Sequence, residues 1–133
     1  MTRPSREFDA DLLFVYGSLR QGFLLHHHLR RLRAERLGAG RVRAELFSVG
    51  QFSGARPSRM LGKTVSGELY RLPAARSALR VLDEVEGFSL RAPQQCVFQR
   101  GTAEVALPGG EGRTAWIYWL SRSVHAPRLR AGG

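Results

Sequence analysis

Among the residues able to do chemistry, one carboxylate is set apart by its spacing. In "PAARSALRVLDEVEG", residues 73–87, Pro73 opens a helical pattern and Gly87 is its natural stop. With Leu82 as the reference direction and about 100° per residue, Ala75, Ala78 and Leu79 fall within roughly 60° of it and form a buried stripe. Glu86 lands on the same side, at about 40°, while Asp83 points to the flank and Glu84 to the opposite face. If the helix reaches Glu86, the carboxylate faces inward at the negative end of the helix dipole. Dipole and desolvation then both raise its pKa towards the range of a general base at neutral pH. If the helix ends by Val85, Glu86 turns to solvent or pairs with an arginine; periodicity leaves both readings open. A second candidate is "FVYGSLRQG", residues 14–22, where an apolar run stops at Tyr16 and a glycine-bounded turn follows. Such a turn either holds a ligand through its backbone or only redirects the chain.

Other candidates fail on their own chemistry. "LGKT", residues 61–64, ends like a phosphate-binding loop, but Pro57 stands where the earlier glycine belongs and a strand pattern follows where a helix is needed. Ser18 lacks the G-x-S-x-G setting of an activated serine nucleophile. His26, His27 and His28 are consecutive, so they splay around a helix, and His125 is remote; no metal site is expected. Cys96 is the single cysteine, which rules out an internal disulfide and a thiolate cage.

The elements that must position these residues are legible in outline. "DLLFVY" reads as a central strand covered on both sides. "LLHHHLRRLRAERLG" sets Leu25, Leu29 and Leu32 at helical spacing, with Gly38 and Gly40 as stops. "RVRAELFSV" and "TVSGELYRL" alternate as half-buried strands, and "SVGQFSGARPSRM" reads as a loop. "CVFQR", "TAEVALP" and "TAWIYWLS" read as further strands, the last two joined as a hairpin across "GGEGR". The expected fold is α+β: a small mixed, mostly antiparallel barrel-like sheet with two main helices. Residues 11–122 form the domain, between flexible ends at 1–10 and 123–133. No run approaches the length of a membrane span and the N-terminus lacks an apolar signal core, so a cytoplasmic protein without membrane attachment is expected. Net charge is +10, and every basic residue but Lys63 is arginine. The arginines are dispersed and not interleaved with aromatics, which argues against specific nucleic-acid binding.

Taken in order, "YGSLRQG" after an apolar strand, "SGELYRL", and "LDEVEG" at a helix end make residues 12–120 resemble the γ-glutamylcyclotransferase-like superfamily, in its AIG2-like, γ-glutamylamine cyclotransferase branch. The resemblance implies that the Tyr16, Gly17, Ser18 and Leu19 turn sits at a pocket mouth. Its backbone N–H groups would then meet a substrate carboxylate or oxyanion. It implies that Glu86 is the catalytic glutamate, closing a γ-glutamyl group to 5-oxoproline and expelling an amine without a cofactor. Relatives carry a Tyr-x-Arg element where this chain has Phe98, Gln99 and Arg100: either the missing hydroxyl changes specificity or activity, or the ring only packs and Phe98 serves as well, and Phe98 is a candidate substrate-binding residue. Phe52 offers an apolar wall, and Arg20 and Arg100 are candidate partners for an anionic substrate or else surface charges. The competing reading is a non-catalytic domain on the same scaffold that binds a small molecule or an anionic partner. The oligomeric state is not legible.

Overall fold

The computed structural model describes residues 8–16, 26–49, 52–60, 62–89, 91–92 and 95–128. Strand β1 (Phe8–Val15) is followed by α1, helical over 26–31. Strands β2 (Glu35–Val49), β3 (Phe52–Pro57) and β4 (Thr64–Arg71) then precede helix α2 (Ala75–Glu86). The hairpin β5 (Phe98–Ala106) and β6 (Gly112–Leu120) completes the order. The sheet runs β3-β2-β4-β1-β6-β5, and a further β2–β5 pairing closes the five strands from β2 to β5 into a barrel, leaving β3 as an added strand on β2. Only β1 and β6 run parallel; the other pairs are antiparallel. The expected mixed barrel with two helices is what forms.

Strand β1 shows why this architecture follows from the sequence. Its apolar run has no polar face, so successive side chains must be buried on both sides. Leu12 and Phe14 enter a core fed by all six strands and by neither helix, which is the barrel interior. Leu13 and Val15 enter the other core, beneath the helices, with Leu29 of α1 and Ala78, Leu79 and Leu82 of α2. Gly67 of β4 lets the barrel wall close at the top of β1. A Cβ there would lie 2.3 Å from the Val15 carbonyl oxygen and 2.6 Å from the Phe14 ring.

Four expectations need correction. Residues 35–40 are strand, not the end of a helix. Arg33 adopts φ 59°, which breaks the helix before the glycines, and Glu35 and Arg36 pair with Arg71 and Tyr70 of β4. Residues 52–57 are strand β3, not loop, in register with Ala44–Val49 of β2. Residues 98–106 form one strand across Gly101, whose bare Cα leaves room for the Trp119 ring, 3.0 Å from where a Cβ would stand. Helix α2 begins at Ala75 and not at Pro73, because Ala74 takes φ 50°. Beyond these, β1 includes residues 8–10, and residues 124–128 run along β2. There the Ser48 N–H donates to the Pro127 carbonyl (2.7 Å) and Phe47 pairs with Arg128, while Val124 and Ala126 pack on the helix-side core.

Candidate active site

Helix α2 reaches Glu86. Gly87 follows at φ 74°; its N–H donates to the Glu84 carbonyl (3.1 Å), and the Phe88 N–H donates to the Asp83 carbonyl (2.8 Å). These two bonds form a Schellman motif, which satisfies the last carbonyls and stops the helix one residue past the glutamate. Ala78, Leu79 and Leu82 are buried as the helical wheel predicts, which fixes the rotation of the helix. Glu86 is therefore half-buried at the helix end. Its charge reaches two phenols, Tyr16 at the end of β1 and Tyr118 on β6, and contributes to holding both protonated.

Asp83, one turn earlier, anchors this end of the helix to the hairpin. Arg100 of β5 donates to it twice, from Nε at 2.8 Å and from Nη2 at 3.2 Å, and the Tyr118 hydroxyl donates at 2.6 Å. The Arg100 guanidinium lies over the Trp116 ring, 4.4 Å from its centroid. Both members of the ion pair keep only about one-sixth of their side-chain surface exposed, at 15% and 16%. No basic residue occupies the last turn of α2, so Arg100 supplies from another strand the positive charge that the helix end favours. A shielded bidentate pair of this kind is costly to break; removing one partner typically costs about 3–5 kcal/mol.

Tyr16 braces the opposite wall. Its hydroxyl donates to the Tyr118 carbonyl (2.5 Å) and accepts from the Ala55 N–H (2.9 Å), so one phenol ties β1, β3 and β6 together. Burial pushes its pKa well above the usual phenol value; the Ala55 N–H pulls the other way and the Glu86 charge adds to the rise. For Tyr118 burial again dominates, reinforced by its hydrogen bond to Asp83. Next to this cluster on the helix-side face, Tyr70 of β4 donates to Glu68 (2.8 Å) and meets His26 Nδ1 of α1 (3.2 Å), while Arg36 Nε donates to the other Glu68 oxygen (2.8 Å).

The structure thus brings Tyr16, Glu86 and Arg100 into one region. Phe98 is buried in the helix-side core, paired with Leu120 across the hairpin, and fills space as an apolar ring does. Phe52 begins β3 opposite Val49. Gly17, Ser18, Leu19 and Arg20 lie outside the described residues. Asp83, Trp116 and Tyr118 were missed by sequence reasoning. The alternation in "TAWIYWL" places Trp116, Tyr118 and Leu120 on one face, and Asp83 precedes Glu86 by one turn. Both signals were present without indicating that they meet. Among the described residues no group of three or more His, Cys, Asp or Glu side chains could hold a metal ion, and no helix is long and apolar enough to cross a membrane.

No curated protein matches the chain. Among solved structures, YkqA of Bacillus subtilis superposes with a TM-score of 0.66 at 23% identity, over 92% of this chain and 38% of that one. The chain therefore spans well under half the length of YkqA. A structure described as gamma-glutamyl cyclotransferase gives a TM-score of 0.63 at 20% identity, covering 88% of this chain and 70% of its own. An AIG2-like protein of Mus musculus gives 0.65 at 20%, covering 92% and 90%. At such identities the likeness carries the fold alone, whereas the model of one family matches residues 13–133 directly. Barrel and family match agree, and the chain belongs to the gamma-glutamyl cyclotransferase, AIG2-like family.

Proposed function

We propose that the protein is a cyclotransferase that closes the γ-glutamyl group of a small γ-glutamyl amine or amino acid to 5-oxoproline, with Glu86 as general base and then general acid. The observation that carries this reading is the placement of Glu86: half-buried at the Schellman-capped end of α2 and within electrostatic reach of Tyr16 and Tyr118.

The chemistry asks for little else. The substrate's α-ammonium gives a proton to Glu86, and the freed amine attacks its own γ-carbonyl carbon. A five-membered ring closes, and the carbonyl oxygen carries the developing negative charge. The ring nitrogen gives up its second proton as the bond to the leaving amine breaks; Glu86 returns the first proton to that amine, and the second goes with it, so that it leaves as an ammonium ion. Tyr16 and Tyr118 keep their protons throughout, bonded to the Tyr118 carbonyl and to Asp83, and so add no charge that would compete with the substrate. The Tyr16–Leu19 turn is proposed to offer N–H groups to the oxyanion or the α-carboxylate. Phe52 and Phe98 are proposed as apolar walls. Arg100 is proposed to face the substrate's anionic end with its charge already shared by Asp83. The protein is further proposed to act in the cytoplasm, without nucleic-acid or membrane partners.

The test is 5-oxoproline release from a panel of γ-glutamyl amines, γ-glutamyl amino acids and glutathione. Release from at least one member is expected, with Glu86→Gln slower by about 100-fold or more and equally well folded by circular dichroism. Undiminished turnover in Glu86→Gln, or no release by the folded wild type from any member, would overturn the reading.

A further inference from the structure

The site holds two carboxylates one helical turn apart and one shielded guanidinium, and the guanidinium is committed to the carboxylate that the reaction does not use. Arg100 faces Asp83 with its Nε and Nη2 edge, and Tyr118 closes the remaining approach to the same Asp83 oxygen that Nε meets. The guanidinium lies over the Trp116 ring, which favours a plane that keeps its Nε and Nη2 edge on Asp83. We propose that Asp83 is a positioning residue: it takes up the charge of Arg100 so that Glu86, one turn further, keeps the basicity of a proton acceptor while the last turn of α2 stays docked on the hairpin. This rests on the reading of Glu86 as the base.

The titratable and charged groups facing this pair come from three strands as well as α2. Among the described residues they include Tyr16 just after β1, Arg100 on β5 and Tyr118 on β6; Tyr70 shares the helix-side core and bonds to Glu68 and His26. Both Tyr16 and Tyr118 remain neutral well past neutrality, because burial disfavours their anions. Asp83, Arg100 and Glu86 all lie within electrostatic reach of the Tyr118 hydroxyl, and at Glu86 the charges of Arg100 and Asp83 act with opposite sign. Removing the Asp83 charge leaves a bare guanidinium near Glu86, which favours the carboxylate. Removing the Arg100 charge leaves a second anion nearby, which favours the protonated acid.

The experiment compares wild type, Asp83→Asn, Arg100→Gln and the double variant. The readouts are the acid limb of the kcat/KM profile and, independently of turnover, carbon-detected NMR titration of the Glu86 carboxylate, assigned with Glu86→Gln. The expected result is a midpoint about one pH unit lower in Asp83→Asn, about one unit higher in Arg100→Gln, and near the wild-type value in the double variant. A merely structural role moves both single variants alike or neither, and that result would overturn the proposal. If Asp83→Asn does not fold, the upward shift in Arg100→Gln decides alone. A folded wild type that releases no 5-oxoproline sinks the cyclotransferase reading, while the NMR midpoints still decide the charge relation.

Discussion

At the scale of single residues, the site turns on how one aspartate spends its hydrogen bonds. Asp83 accepts from Arg100 and from Tyr118 in a region with little solvent, so each donor offsets part of the cost of burying its charge. Tyr118→Phe removes one donor and leaves the ring volume intact. The expected loss is about 1–2 kcal/mol of folding stability, read as a lower urea midpoint at unchanged slope. An unchanged midpoint would mean that Arg100 alone satisfies the carboxylate. This relation was invisible in the sequence. The helical wheel could place Glu86 on the inner side because Leu79 and Leu82 fix the rotation of the helix. It left Asp83 on the flank, because what covers the flank of a helix is decided by a strand 17 residues away in Arg100 and 35 away in Tyr118.

At the scale of elements, helix α2 was the most legible part of the fold and β2 the least. The Ala78–Leu79–Leu82 stripe and Gly87 each state a local rule, and the two agree, while the start falls two residues past Pro73, where Ala74 takes φ 50°. Residues 35–40 carry helix-tolerant side chains, and only pairing with β4 makes them strand; Arg33 in the left-handed region shows that the turn was imposed by that pairing. The stop at Gly87 is also where an element touches function, because the two bonds its αL conformation allows close the last turn, which carries Glu86. A Cβ at Gly87 meets nothing within 4 Å, so Gly87→Ala adds no clash and its cost is conformational, about 1 kcal/mol. The expected outcome is a small loss of thermal stability with a larger proportional loss of kcat, as the Schellman bonds from Gly87 and Phe88 loosen. Equal retention of kcat would show that Glu86 is held by its other contacts and not by the cap.

At the scale of the whole molecule, a barrel-like sheet was readable but the register that closes it was not. Closure rests on the short pairing of Arg41 and Val42 with Ala106 and Val105, a register relation between distant segments that no local pattern encodes. Closure has one consequence that can be read in a single titration. The chain has three tyrosines, and the barrel and its helices disfavour the anion of each: burial leads in every case, raising Tyr70 to about 12 and Tyr16 and Tyr118 further. Because the folded values lie above the unfolded reference of 10.0, the folded state holds more protons than the unfolded state in strongly alkaline solution. The stability they contribute is complete below pH 10 and is lost as pH rises through the folded values. Tyrosinate absorbance should therefore be nearly absent at the pH where free tyrosine is half ionised. It should then appear together with the loss of secondary structure, as one transition. An early, separate ionisation with circular dichroism unchanged would show that at least one phenol is wetter than this fold makes it; Glu68→Gln, which removes the negative charge beside Tyr70, would identify Tyr70 if the early step moved with it.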